Sequence, residues 1–456
     1  MKTNVDMIHG PLFVKILLFA LPLAASSVLQ QLFNSVDLMV VGRFVGSDAL
    51  AAVGNNGPVI NILVNLFVGL SVGANVVVAN LIGQRKTEEI PDAIKTCVSL
   101  SFISGLLLVF IGFLFARPIL CAISTPETVL PLATDYLKIY FCGMPFITFY
   151  NFGSAILRAK GDSARPLICL IISGVVNATL NVILVLAFGM GVHGVALATL
   201  VSSAVSAILI AHFLCTEEGE FRLDFRKIIR FPLPIQKKYL LWMIRVGVPA
   251  GVQGMVFSFS NLSIQSAINS FGNEAMAGSA AALNYEYFTY FVIAAFSQTA
   301  VTFTSQNYGA HDFVRCRRVF WLCLFGSLSV AAFESLIFTV FRSFFMSVFS
   351  KSPEALDFAL RRTLHVEAFE CMPALYEIPA GCLRALGYSM LPSVLVLLGS
   401  CVLRLVWVSS VFPRFHSWEL LMNVYPISWL VTGAALLISY AIVSKKILLV
   451  EKKIKK

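Results

Sequence analysis

Apolar runs long enough to cross a bilayer recur along the whole chain, separated by short polar breaks. A hydrocarbon core about 30 Å thick needs about 20 apolar helical residues, and by that measure the pattern predicts about twelve helical spans. Six lie near 13–41, 50–80, 93–116, 132–157, 166–189 and 193–215. Six more lie near 239–270, 275–305, 314–341, 358–383, 390–412 and 418–444. The chain thus divides into a lobe over 1–215, a polar linker over 216–238, a second lobe over 239–444 and a basic tail over 445–456. The fold class expected is all-α and polytopic, with about twelve transmembrane helices in two six-helix lobes.

The second six repeat the first at a spacing of about 226–228 residues. Pro22-Leu23-Ala24 through Asn34 to Asp48-Ala49-Leu50-Ala51 is echoed by Pro249-Ala250-Gly251 through Asn261 to Glu274-Ala275-Met276-Ala277. Asn80-Leu81-Ile82-Gly83 matches Gln306-Asn307-Tyr308-Gly309, and Gly143-Met144-Pro145 matches Cys371-Met372-Pro373. Leu157-Arg158-Ala159 with Pro166 matches Leu383-Arg384-Ala385 with Pro392. Each unit holds an even number of spans, so both copies cross the membrane in the same sense, as parallel repeats do. The prolines fall on corresponding helices, where each removes a backbone donor and bends its helix. Such paired bends serve either as hinges or as static packing features.

Composition supports the membrane reading: 58% of residues are hydrophobic and 13% charged, against about 45–50% and about 25% in soluble domains. The net charge of +10 is not a nucleic-acid signal, because the basic residues gather in alternate loops. One side holds Arg85, Lys86, Arg158, Lys160, Arg165, the linker cluster, Arg315, Arg317, Arg318, Arg384 and the tail lysines. The other has mainly Arg43, Arg117, Arg342, Lys351 and Arg414. The positive-inside rule then places both termini and the linker in the cytoplasm and the chain in the cell membrane, with the tail beside anionic lipid. Ten cysteines lie singly without a C-x-x-C pair, which is neither a disulfide framework nor a metal knuckle. No removable signal peptide is expected.

Enzyme chemistry finds no footing. There is no G-x-x-x-x-G-K-[ST] loop and no H-E-x-x-H motif, the six histidines are dispersed, and no organic cofactor is implied. Charge inside a span is the informative signal, since an intramembrane acid costs roughly 2.5–3.5 kcal/mol on insertion scales and marks function by default. Asp37 is such an acid, and its counterpart in the second half is Ile264. Asn177 and Asn181 share one helical face, and Thr199 follows Gly194-Val195-Ala196-Leu197-Ala198 on the next helix. A carboxylate with neutral oxygens is the ligand set of a hard cation such as Na+, and a buried aspartate is also the group of a proton site. The plain alternative is that Asn177, Asn181 and Thr199 only hydrogen-bond neighbouring helices. In the second half Glu286 stands among Tyr285, Tyr287, Phe288, Tyr290 and Phe291, a setting for an organic cation or for an acid paired with Arg404 or snorkelling to an interface. Glu377 and Arg404 are a possible structural pair, and Glu367 and Glu370, near a span start, are expected to be solvated. Gln30, Asn34, Asn261, Glu286, Tyr290 and Glu377 are the candidates for lining a substrate cavity.

These residues resemble the multidrug and toxic compound extrusion (MATE) antiporters over essentially the full chain. The specific pieces are Gln30-Gln31-Leu32-Phe33-Asn34-Ser35-Val36-Asp37 with Val41-Gly42, Asn177-x-x-x-Asn181, and Gly194-Val195-Ala196-Leu197-Ala198-Thr199. Thr302-Phe303-Thr304-Ser305-Gln306-Asn307-Tyr308-Gly309 and Leu383-Arg384-Ala385 also fit. The resemblance implies a cation site at Asp37, Asn177, Asn181 and Thr199, and a monomer exchanging amphipathic, often cationic organic compounds for inward sodium or protons. One branch of that family carries acids deep in helices seven and ten. Here helix seven has none, and Glu377 is not at the expected place, which favours coupling through the first half. The expected activity is therefore ion-coupled export of a small organic substrate. The rivals are a flippase for a lipid-linked sugar, which calls for a basic cavity, and a receptor or scaffold that transports nothing.

Overall fold

The computed structural model describes residues 4–123, 125–224, 234–348 and 352–454. Before the linker come α1 (Leu12–Phe44), α2 (Ser47–Gly83), α3 (Ile90–Ala122), α4 (Leu130–Cys142), α5 (Met144–Lys160), α6 (Ala164–Val182) and α7 (Gly191–Cys215). After it come α8 (Lys237–Asn269), α9 (Asn273–Gly309), α10 (Phe313–Val340), α11 (Arg342–Ser347), α12 (Pro353–His365) and α13 (Ala374–Ala385). The chain ends with α14 (Met390–Phe415), α15 (Trp418–Met422) and α16 (Val424–Ile454). No strand occurs among the described residues. The protein is an all-α polytopic membrane protein, because hydrocarbon offers no water to the backbone and a helix satisfies its own donors and acceptors. Of the expected basic linker cluster, Arg226, Lys227 and Arg230 lie outside the described residues, as do Lys2, Lys351 and the end of the tail.

Among the described residues nine segments are both long and apolar enough to cross a membrane. Three expected spans are not among them, each for a local reason. The stretch 132–157 is interrupted at Gly143, with Pro145 in the first turn of α5. The stretch 358–383 is interrupted between α12 and α13 by a tight turn at Glu367–Phe369, followed by Pro373. The stretch 275–305 lies in the continuous 37-residue helix α9, which carries Glu286 among many serines, threonines, asparagines and glutamines.

The residues group into two compact units. Unit 1 holds Ala25–Gly251 with the short stretch ending at Asp6, and unit 2 holds Met7–Ala24 with the chain from Val252 onward. The chain therefore changes unit inside α1 and inside α8, each time two residues after the repeated proline, Pro22 or Pro249. In unit 1, α5 packs against α2, α3 and α7, and α6 packs against α7. In unit 2, α9 packs against α10, α12 and α13, and α13 packs against α16.

The first half of α8 joins unit 1 through two facing small-residue motifs, Gly69-x-x-x-Gly73 on α2 and Gly247-x-x-x-Gly251 on α8. A Cβ on Gly69 would stand 2.2 Å from the Gly251 nitrogen, and one on Gly73 would stand 2.3 Å from the Met243 carbonyl oxygen. A Cβ on Gly247 would lie 2.6 Å from Leu70 Cα, and one on Gly251 would lie 2.3 Å from the Leu66 carbonyl oxygen. Backbone meets backbone here because lipid tails give apolar side chains little reason to associate, so close packing must supply the attraction. Gly73→Ala is expected to cost about 1–3 kcal/mol, the usual penalty of overpacking. It should lower the melting temperature of the detergent-solubilised protein, while Gly54→Ala, where a Cβ meets nothing within 4 Å, should leave it unchanged.

Candidate functional site

In unit 1 the fold gathers one acid and three neutral polar side chains from α1, α6 and α7. Glycine at position 174 sets the approach of the first two helices. A Cβ there would overlap the Phe33 ring at 1.8 Å, so only glycine lets this ring lie against α6. One turn further along α1, Asp37 meets Asn181, whose Nδ2 donates to Asp37 Oδ1 and also to Asn177 Oδ1 at 3.2 Å. Asn177 Nδ2 reaches toward Thr199 Oγ1 at 3.5 Å. The Thr199 hydroxyl donates to the Val195 carbonyl at 3.1 Å. Asn177 and Asn181 are buried and Asp37 is half-buried. Asn181 Oδ1 is buried with no hydrogen-bond partner. An orphan amide oxygen beside a carboxylate is an incomplete polar set, and its donors are the oxygen types a hard cation takes.

The surroundings hold features that sequence did not disclose. A π-helical turn at Ile183–Ala187 begins two residues after Asn181, and such turns concentrate at functional sites. Tyr136 and Tyr140 of α4 stack at 6.2 Å, and Tyr136 joins Val40, Val41, Val185, Val195 and Ala196 in an apolar wall beside the acid. Gln30 and Asn34 lie on α1 at helical spacing from Asp37, and both are exposed.

Unit 2 places its charges differently. Glu286 does not pair with Arg404. Arg362 of α12 takes it in a two-pronged contact, Nε to Oε1 at 2.6 Å and Nη2 to Oε2 at 2.7 Å, and its Nη1 donates to Ser279 Oγ at 2.7 Å. Both partners are buried. The signal was present in sequence, since the stretch 358–383 already contains Arg361-Arg362 and a charge inside a span pairs with another charge or with backbone carbonyls. Glu377 does not pair with Arg404 either. The Tyr290 hydroxyl lies 3.5 Å from Glu377 Oε1, and Arg404 donates to Ser428 Oγ at 3.0 Å and to Asn261 Oδ1 at 3.1 Å. Its guanidinium sits over Phe257 and Tyr425, 4.9 and 4.8 Å from the ring centroids. Glu367 and Glu370 are buried rather than solvated, because the break between α12 and α13 lies inside the bundle; Thr289 Oγ1 donates to Glu367 Oε1 at 2.9 Å. All ten cysteines are free thiols.

The family model for MatE matches residues 22–183 and 249–408, one segment in each half of the repeat. The chain belongs to the MatE family. Members are multidrug efflux transporters, and the relatives found are named as transporters or resistance proteins. The "Probable multidrug resistance protein YoeA" of Bacillus subtilis is 28% identical over 382 residues, 83% of this chain and 82% of that one. The "FAD transporter" of Shewanella oneidensis is 24% identical over 368 residues, 78% of each chain. Among solved structures, an outward-facing conformation of a multidrug resistance MATE family transporter superposes with a TM-score of 0.87 at 20% identity, over 98% of this chain and 99% of that one.

The Glu286–Arg362 pair yields a stability prediction. Arg362→Met leaves a buried carboxylate without its partner, and breaking a buried pair this way costs about 3–5 kcal/mol. The single variant should melt well below wild type in detergent, and Glu286→Met/Arg362→Met should recover most of the loss. A double variant as unstable as the single one would show that the charge pair is not what matters.

Proposed function

We propose that this MatE-family protein is an ion-coupled antiporter that exports small amphipathic organic compounds by alternating access, with Asp37 as the coupling group. One observation carries the reading: Asp37, Asn177, Asn181 and Thr199 converge in an otherwise apolar helix cluster and leave the Asn181 amide oxygen unpartnered. A sodium ion would take oxygens from these four side chains, and a proton would take the Asp37 carboxylate. Either ion, moving with one charge through 100 mV, supplies about 2.3 kcal/mol, roughly a fiftyfold concentration ratio. The reading needs no organic cofactor and no nucleic acid. It places the protein as a monomer in the cell membrane, with both termini cytoplasmic, which the distribution of lysine and arginine supports.

Ethidium efflux from proteoliposomes, under separate sodium and proton gradients, tests this directly. Wild type should respond to one gradient, and Asp37→Asn should lose that response by about tenfold or more, against unchanged passive leak. Full gradient-driven flux in Asp37→Asn would remove Asp37 from coupling.

A second reading concerns the substrate. Glu286 is neutralised by Arg362, while buried Arg404 has only neutral hydrogen-bond acceptors. Arg404 weighs toward a substrate with an anionic group and buried Glu367 and Glu370 weigh against it; one relative is named an FAD transporter. Competition of ethidium efflux by an anionic dye such as fluorescein separates this substrate class from the cationic one.

A further inference from the structure

Unit 2 contains a groove of about 650 Å³ between α10 and α16, lined by none of the candidate site residues discussed above. Its size lies within the range of small-ligand sites, roughly 300–1,000 Å³. Phe320 and Tyr440 form its floor, buried and stacked at 3.8 Å. Trp321 stands beside them with 42% of its surface exposed, and Ala441 adds an exposed apolar edge. Arg317 and Lys445 line the same groove, both exposed. One belongs to the first turns of α10 and the other to the last turns of α16, with Leu448 and Leu449 lining the groove beyond Lys445. Neither has a carboxylate partner among the described residues, and no glutamate or aspartate lines the groove.

We infer that this groove binds one anionic phospholipid, its phosphate between Arg317 and Lys445 and an acyl chain along Phe320, Trp321 and Ala441. Each part has a physical basis. A guanidinium meets phosphate oxygens in a fixed fork and an ammonium adds a point charge. An amphipathic indole is favoured at headgroup depth. Basic pockets between membrane helices hold anionic headgroups against zwitterionic ones by charge. A soluble phosphate compound would gain nothing from the apolar floor, and a zwitterionic lipid would bring a cation toward the two basic side chains.

Native mass spectrometry of the full chain in detergent, titrated with phosphatidylglycerol or phosphatidylcholine, tests the inference. Wild type should retain one phosphatidylglycerol in clear preference to phosphatidylcholine. Arg317→Gln/Lys445→Gln should weaken that binding about thirtyfold, ~1 kcal/mol for each basic side chain. Arg318→Gln/Lys446→Gln removes the same charge from neighbouring exposed positions that do not line the groove, and should retain the preference. Ala441→Trp keeps both charges but fills the cleft, and should lose the bound lipid. The inference is overturned if wild type shows no preference, if the two double variants weaken binding equally, if Ala441→Trp binds as wild type does, or if glycerol 3-phosphate competes as well as the lipid.

Discussion

In hydrocarbon a polar group finds no water, so every buried donor, acceptor and charge in this bundle must be answered from within the protein or by something it binds. Nearly all other features of the structure follow from this. Backbone groups are answered by helix formation. Serine and threonine hydroxyls largely donate to carbonyls one turn back, as Thr148, Thr299 and Ser305 do. Charges have no such local answer and must be matched across helices. Around Asp37 the matching stops short: two asparagines and a threonine surround the carboxylate, yet one amide oxygen is left over, as is one carboxylate oxygen each of Glu367 and Glu370 in the second unit.

The two halves share a repeat but treat charge in opposite ways. Unit 1 sets Asp37 among neutral neighbours with no arginine hydrogen-bonded to it, and carries its own charged cluster of Lys160, Asp162, Arg165 and Glu217. Unit 2 has a buried isoleucine at the position equivalent to Asp37 and buries several acids and arginines elsewhere, locking Glu286 to Arg362 and seating Arg404 on aromatic faces. A fully matched ion pair resists change in protonation, whereas a lone acid among amides can accept a proton or a cation at little structural cost. The same scaffold thus carries a lone acid among amides in one half and a locked ion pair in the other.

Much of this was legible in the sequence because it is periodic or local. Span length, the repeat, and the four-residue spacing of Asn177 and Asn181 depend only on helix geometry. The convergence of Asp37 with those residues followed from motif resemblance, and the Phe33–Gly174 contact is its structural cause. What escaped was non-local. Glu286 and Arg362 are brought together by the packing of α9 on α12, and no spacing rule connects them. The burial of Glu367 and Glu370 depended on a helix break that a continuous apolar run conceals. The π-helical turns after Asn181 and on both sides of Arg404 have no composition of their own.

The crossing points after Pro22 and Pro249 set an order of assembly. Unit 1 includes residues as far as Gly251, so it cannot be completed on the ribosome when the linker emerges; it waits for the first turns of the next helix, whose glycines then close against α2. Unit 2 has the reverse problem. Its first strip of chain, Met7–Ala24, is among the earliest parts made, yet Phe19 packs against Phe303 and Asn307 Nδ2 donates to the Met7 carbonyl, the latter across 300 residues of chain. Such distant pairings delay closure, so the first half is not a finished folding unit when its own six helices have entered the membrane, and the first strip of unit 2 waits for partners made later. A cut in the linker would therefore yield two fragments that each lack a strip of the other's chain.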